Sequence, residues 1–508
     1  MKSPSILLAT LVAALLLSQT PATHAAPKSA SSSKPNILFI ITDDQRFDMM
    51  GNVTPYLVTP AMDRLAKEGV RFENAFVTTP ICAASRASML TGVVERTHGY
   101  TFMTPPLSQE WVDNSYPTLL HQQGYYTGYV GKFGVGLPND KTMGEMFDRP
   151  MVLNRGPYFK TQADGSVRHL TDITGDKSIE FIQQSPTDKP WMLCMAFNAP
   201  HAEDSDSRQY IWPDYVHTLY QDLKVPTPPL SKPSFYNALP EFLRDGTMNR
   251  ERWHWRNDPW PRKSKSAEMT KGYYRMISAV DHNIGRVRQA IQDKGIADNT
   301  VVIMIGDNGY FLGERGYAGK WLPYELSIHV PLLFFDPRPE SKMTAGARPK
   351  AIVANIDVPA TLLDLAGAKK PSSMQGQSLI PLTQNSETPA HWRQDIWLEH
   401  LMMNDSIRKH EGVRTERYKY SRYFEANPVL EELYDLESDP QETKNLINDP
   451  EFAYLAERLR KRTDALRKEY GGVFKPHPSI LKNKKAREAR QQAARLKRDS
   501  QAIKGKSK

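Results

Sequence analysis

The stretch NILFIITDDQ, residues 36–45, joins an unbroken apolar run to two consecutive acids. A short run that is apolar at odd and even positions alike predicts a strand buried on both faces, as in a parallel sheet covered by helices on either side. Similar runs stand at 125–130, 191–197, 301–305 and 331–335. Helical patterns fill the gaps, over 59–68, 85–90, 172–183, 271–292 and 358–366. The alternation predicts an α/β sandwich with a large, mostly parallel central sheet flanked by helices. Beyond about Leu382 the strands become shorter and polar-flanked, at 395–398 and 418–423, before a helix over 453–467. That change predicts a smaller C-terminal α+β subdomain over 383–472, after a main domain over 35–382. Residues 210–265, rich in Pro, Trp and charge, read as an insertion between core elements, a place where substrate contacts gather.

The two ends of the chain have their own character. Lys2 precedes the apolar run 6–17, and Thr23-His24-Ala25 offers small residues for cleavage, so 1–25 reads as a secretory signal peptide and 26–34 as a linker. The apolar run is too short to span a bilayer, and no second candidate follows. The expectation is an exported protein, periplasmic or secreted, with no integral membrane segment in the mature chain. At the other end, residues 482–508 hold eleven lysines and arginines against two acids, which equals the net charge of +9 carried by all 508 residues. The basic tail, 473–508, therefore accounts for the charge, and the balanced body argues against a nucleic-acid partner.

Ligands of open α/β sheets bind beyond the carboxyl ends of the strands, so the residues after each apolar run matter most. They are Thr42-Asp43-Asp44-Gln45, Gly131-Lys132, Asn198-Ala199-Pro200-His201 and Gly306-Asp307-Asn308-Gly309. Asp43, Asp44, Asp307 and Asn308 form an all-oxygen set that suits a hard divalent cation such as Ca²⁺ or Mg²⁺ rather than zinc. Asp and Asn after a strand also make turns and helix caps, but two such pairs on separate strands favour a metal. Lys132 and His201 gain interest by sharing that rim.

Only two cysteines occur, Cys82 and Cys194. Cys194 lies within the apolar run WMLCMAF and reads as a buried, inert thiol. Cys82 then has no partner, and it precedes a helix start, where backbone N–H groups favour anions and lower a thiol pKa. An anion site and a cysteine nucleophile both remain open on these residues alone.

The segment Cys82-Ala83-Ala84-Ser85-Arg86, continued by Met89-Leu90-Thr91-Gly92, resembles the C-x-P-S-R signature and following L-T-G of type I, formylglycine-dependent sulfatases of the alkaline phosphatase superfamily. PNILFIITDDQ, HLTDITGDKSIEFI, NAPH, YYRMISAVDHNIGRV, GDNGYFLGERG, GVRTERYKY and ELYDLESDP are similar to further sulfatase blocks, in family order over roughly 35–450. The resemblance implies an alkaline-phosphatase-like fold, one Ca²⁺ held by Asp43, Asp44, Asp307 and Asn308, and Cys82 converted near that ion to Cα-formylglycine by a maturation enzyme. It implies that Arg86 orients the modified residue, and that Lys132, His201 and Lys320 contact the sulfate and its leaving oxygen. A hydrated aldehyde offers two geminal hydroxyls. One attacks sulfur, and the other loses its proton so that the adduct collapses to the aldehyde and expels sulfate.

Two departures stand out. Ala84 replaces a proline common in the family, and Lys132-Phe133-Gly134 replaces a common lysine-tryptophan-histidine. The second resembles the N-acetylglucosamine-6-sulfatase branch and implies a sulfated amino sugar or related saccharide as substrate. The rival readings are a phosphodiesterase or phosphonate hydrolase of the same superfamily, and a catalytically silent glycan-binding protein in which Cys82 stays a thiol.

Overall fold

In the computed structural model, residues 34–102, 105–257, 265–384, 387–478 and 481–482 are described. The leader-like residues 1–25, nearly all of the linker and almost the whole basic stretch 482–508 lie outside them.

The run that opens the first strand behaves as its composition demands. Asn36–Thr42 is buried at every position and pairs in parallel with Trp191–Ala196 on one side and Thr300–Gly306 on the other. Its side chains alternate between two cores. Ile37, Phe39 and Ile41 enter one apolar cluster, together with Cys194 and Ile303, while Leu38 and Ile40 enter another with Leu193 and Met304. Helices Pro60–Glu68, Leu170–Gln184 and Lys265–Asp293 supply Leu65, Phe181 and Ile277 to the second cluster. Cys82–Thr91, Tyr116–Gln122 and Asp357–Leu365 supply Ala87, Leu120 and Leu362 to the first. A strand covered on both faces has no polar side to show.

The sheet has seven strands in the order Val70–Arg71, Leu332–Phe335, Thr300–Gly306, Asn36–Thr42, Trp191–Ala196, Tyr126–Gly131, Arg149–Val152. It is parallel except at one edge, where Leu332–Phe335 runs antiparallel to Thr300–Gly306 and Val70–Arg71 antiparallel to it. Further on, Asp395–His400, His410–Thr415, Tyr418–Tyr423 and Leu430–Asp435 form a four-stranded antiparallel sheet. Helix Ala453–Glu469 lays Ala456, Leu459 and Leu466 against it, and their apolar cluster is continuous with that of the central sheet. No helix among the described residues is long and apolar enough to cross a membrane.

The region read as an insertion contains short helices, Pro233–Ala238, Glu241–Arg244 and Met248–Asn257, among its described residues. Burial pushes the Cys194 thiol up to about 12, in keeping with an inert core residue.

Candidate active site

Parallel pairing decides which side chains meet. Thr42 is in register with Gly306, so the residues that follow each strand, Asp43-Asp44 and Asp307-Asn308, emerge side by side. The Asp307 N–H donates to Thr42 O at 2.9 Å, extending the ladder by one step. Asp44 takes a left-handed backbone, φ 63°, uncommon for a residue with a Cβ. Its N–H donates to Asp307 Oδ1 at 3.1 Å, and its carbonyl accepts from Tyr273 OH at 2.6 Å, which together hold the turn. Lys132 follows Tyr126–Gly131 directly, and His201 lies five residues beyond Trp191–Ala196.

Every residue of this group is buried, so its charges interact through protein rather than water. Arg86 Nε donates to Asp307 Oδ2 at 2.8 Å, and its other nitrogens reach Lys132 O and Phe197 O. Lys132 Nζ contacts Asp43 Oδ2, Lys320 Nζ contacts Asp44 Oδ1, and Lys320 Nζ also lies 3.9 Å from Asp43 Oδ1. Burial alone would raise the Asp43 carboxyl, but Lys132 and the other cations outweigh it and hold its pKa low. Asp307 goes the other way, raised to about 6 by burial and by the charge of Asp43. Burial lowers His201 to about 3, so the ring is neutral. Its Nδ1–H donates to Ala202 O at 2.6 Å, which turns Nε2 toward Asp44 Oδ2, 3.7 Å away.

Three acceptor oxygens of the group are buried with no hydrogen-bond partner among the described residues: Asp43 Oδ1, Asp44 Oδ2 and Asn308 Oδ1. Buried oxygens are rarely left this way, and a cation is one group that would satisfy all of them. Ligand atoms of Asp43, Cys82 and Asp307 lie within 4.8 Å of one another, as do those of Asp43, Asp44 and His201.

Cys82 is not ahead of its helix, as the sequence suggests, but is the first residue of Cys82–Thr91, with Ile81 as the N-cap. The helix begins earlier than expected because Ala83 and Ala84 are themselves good helix formers, and Ile81 O accepts from the Ser85 N–H at 2.9 Å. Ser85 in turn anchors the helix, its Oγ accepting from Asn355 Nδ2 at 2.9 Å. At Gly134, φ +75°, an added Cβ would lie 3.5 Å from Arg86 Cδ and 3.6 Å from Lys132 Cε. A side chain at that position would thus stand within the charged group.

All the candidate residues named from sequence converge here: Asp43, Asp44, Cys82, Arg86, Lys132, His201, Asp307, Asn308 and Lys320. Others were missed. Lys320 is flanked by Gly319 at φ 129° and Trp321 at φ 80°, and its turn is pinned from two distant segments. Asn249 Nδ2 donates to Lys320 O at 2.9 Å, and His410 Nε2–H donates to Trp321 O at 3.0 Å. Arg155 stands beside His201, with Nη1 3.4 Å from Nε2. Only Asn249 had a signal, its place in the insertion.

The sulfatase family profile matches residues 35–368, and a profile for the C-terminal part of N-sulphoglucosamine sulphohydrolase matches 313–469. An N-acetylglucosamine-6-O-sulfatase of Bacteroides thetaiotaomicron is 29% identical, over 92% of each chain. A protein solved in complex with its substrate D-glucosamine-2-N,6-O-disulfate superposes with a TM-score of 0.75 at 26% identity, over 86% of this chain and 98% of that one. A phosphonate monoester hydrolase of Silicibacter pomeroyi superposes at 0.72 with 22% identity, over 86% and 96%, a likeness of fold.

Proposed function

The chain belongs to the sulfatase family, and we propose that it is a calcium- and formylglycine-dependent enzyme that removes sulfate from a sulfated amino sugar. That it is a sulfatase follows from the family and from relatives named for that activity. The sugar is inferred from the relative named for N-acetylglucosamine 6-O-sulfate and from the disulfated glucosamine bound by the superposed protein. The observation that carries the mechanistic reading is the buried approach of Cys82 to Asp43 and Asp307, beside three oxygens with no hydrogen-bond partner among the described residues.

The donor set fits the implied ion. Asp43, Asp44, Asp307 and Asn308 offer only oxygen, the preference of Ca²⁺. When bound, the ion draws charge from the sulfate oxygens and makes sulfur a better electrophile. Residue 82, converted by a formylglycine-generating enzyme, supplies the nucleophilic hydroxyl. Arg86 fixes Asp307 from behind and is itself tied to two backbone carbonyls, so it orients the metal ligand and the helix carrying residue 82 together. Lys132 and Lys320 are presented as fixed cations that can take sulfate oxygens as charge builds on them. Lys320, which carries a proton, can give it to the leaving oxygen, whereas His201 could do so through Nε2 only after that nitrogen has first taken up a proton, because its one ring proton sits on Nδ1 against Ala202 O. Export, suggested by the leader-like residues 1–25, is part of the same proposal.

The test offers the full chain, coexpressed with a formylglycine-generating enzyme, an aryl sulfate, N-acetylglucosamine 6-O-sulfate, a phosphodiester and a phosphonate monoester. Sulfate ester turnover should exceed that of both phosphorus esters by about a hundredfold or more in kcat/KM. Faster phosphonate or phosphodiester hydrolysis would favour the rival superfamily activity, and binding of the saccharide without any turnover would favour a silent glycan-binding protein.

A further inference from the structure

A circuit of contacts starts and ends at Asp44. From Asp44 Oδ2 it runs to His201 Nε2 at 3.7 Å, and from there to Arg155 Nη1 at 3.4 Å. Arg155 Nη2 donates to Asp204 Oδ2 at 2.6 Å, and the same oxygen accepts from Arg252 Nη2 at 3.4 Å. The Arg252 guanidinium lies 4.7 Å from the centroid of the Trp321 ring, and Trp321 follows Lys320, which returns to Asp44. The inner arc of this circuit is the charged group that faces residue 82. The outer arc carries two guanidinium groups on one shared carboxylate oxygen.

The outer arc is built to keep donors in reserve. Arg252 is largely buried, with its side chain 16% exposed, and its Nη1 has no hydrogen-bond partner among the described residues. A buried guanidinium nitrogen without an acceptor is a standing electrostatic debt that an incoming anion would settle. Arg155 is 40% exposed and can be reached from solvent. The contact with the Trp321 ring holds the Arg252 guanidinium in place, which limits the entropy lost when it engages an anion.

We propose that Arg155 and Arg252 form a subsite for a second anionic group on the substrate, a sulfate or carboxylate carried by the sulfated sugar or by the residue linked to it. This rests on the sulfatase reading above and adds to it that the preferred substrate is multiply anionic. The sulfate being cleaved occupies the inner arc, and the second anion replaces part of the load that Asp204 now bears.

The experiment compares kcat/KM for glucosamine 2-N,6-O-disulfate with that for N-acetylglucosamine 6-O-sulfate. A second pair, a 6-O-sulfated amino sugar linked to a uronic acid and its carboxyl-reduced form, distinguishes a neighbouring carboxylate from an N-sulfate. The wild type should prefer the anion-bearing member of at least one pair by about tenfold or more, and Arg252→Gln and Arg155→Gln should each bring that ratio to within about threefold of one. Arg252→Lys, which keeps the charge but loses the fork, should fall between. Because the readout is a ratio on one preparation, a general loss of activity does not mimic it. Wild-type ratios near one in both pairs, or ratios untouched by both glutamine variants, would overturn the subsite while leaving the sulfatase reading intact. Absence of sulfate release from every substrate would overturn that reading itself.

Discussion

Two regions of this molecule bury clusters of charge, and they are finished in opposite ways. Where the central sheet meets the C-terminal one, Arg96 donates from Nε and its backbone N to the two oxygens of Glu399, from Nη2 to Glu411 Oε2 and from Nη1 to Gly472 O. Glu411 Oε1 accepts from Arg422 and Arg467. Every nitrogen of the Arg96 fork is occupied, although the neighbouring Glu95 keeps one oxygen, Oε1, with no hydrogen-bond partner among the described residues. At the carboxyl rim, by contrast, Asp43, Asp44 and Asn308 each retain an oxygen with no hydrogen-bond partner among the described residues, at equal depth. Buried charge that is fully paired holds elements together, whereas buried charge with unfilled acceptors is held ready for something that comes from outside.

The comparison is broken most directly by exchanging the consequences of mutation. Asp307→Ala should lose both the bound metal and at least about 10³-fold in kcat, roughly 4 kcal/mol of barrier. Elemental analysis of the purified variant checks the first, and full metal occupancy would remove Asp307 from the ligand set. Arg96→Ala should do the reverse, lowering stability by about 3–5 kcal/mol because Glu399 is left buried without its cation, while Glu411 keeps Arg422 and Arg467. In whatever fraction stays folded below the shifted melting temperature, metal content should remain that of the wild type. Loss of metal with an undiminished melting temperature would contradict the assignment of this cluster to the fold.

A further carboxylate sharpens the contrast, since it is buried but has no ion-pair partner among the described residues. Asp281 accepts N–H groups from Ala61 and Met62, at 3.1 and 2.7 Å, at the start of helix Pro60–Glu68, yet burial raises its pKa to about 7. The folded state thus holds a proton that the unfolded chain, with a carboxyl near about 3.9, releases earlier. Its contribution to stability is full below about pH 4 and is lost as pH rises to about 7, up to a few kcal/mol over that window. Asp281→Asn should therefore flatten the dependence of melting temperature on pH between 4 and 7 relative to the wild type. Parallel curves for the two proteins would refute the assignment.

The smallest effect separates the two candidates for the leaving oxygen. If His201 serves it, His201→Ala should cost a sugar sulfate about tenfold more than an aryl sulfate with an acidic leaving group. The variant should keep its metal. If the larger discrimination appears instead in Lys320→Ala, the lysine carries the proton, and equal losses across a leaving-group series in both variants would deny the role to either.

Much of this was legible before any coordinates. The strands of the central sheet were readable because burial on both faces forces runs such as NILFII and VVIMI to be apolar throughout, and the acids that end them mark the ligand edge. The start of the helix at Cys82 was misread by three residues, since the good helix formers Ala83 and Ala84 permit the earlier start but do not mark where Ile81 leaves helical geometry. The commitment of His201 Nδ1 to the neighbouring carbonyl was equally hidden. Arg155 and Asp204 could not be found from the sequence, and Arg252 was marked only by its place in the insertion, because the three come from separate segments with no shared period and acquire meaning only by meeting at one carboxylate oxygen.

The central claim is that residue 82, beside the open acceptors, works as an aldehyde hydrate rather than as a thiol. Mass spectrometry of the peptide spanning Cys82 tests it, on preparations made with and without a formylglycine-generating enzyme and assayed in parallel for sulfate release. The account predicts that the aldehyde form is present in active preparations and that turnover rises in proportion to the fraction converted. Undiminished turnover from a preparation in which residue 82 is wholly thiol would contradict it.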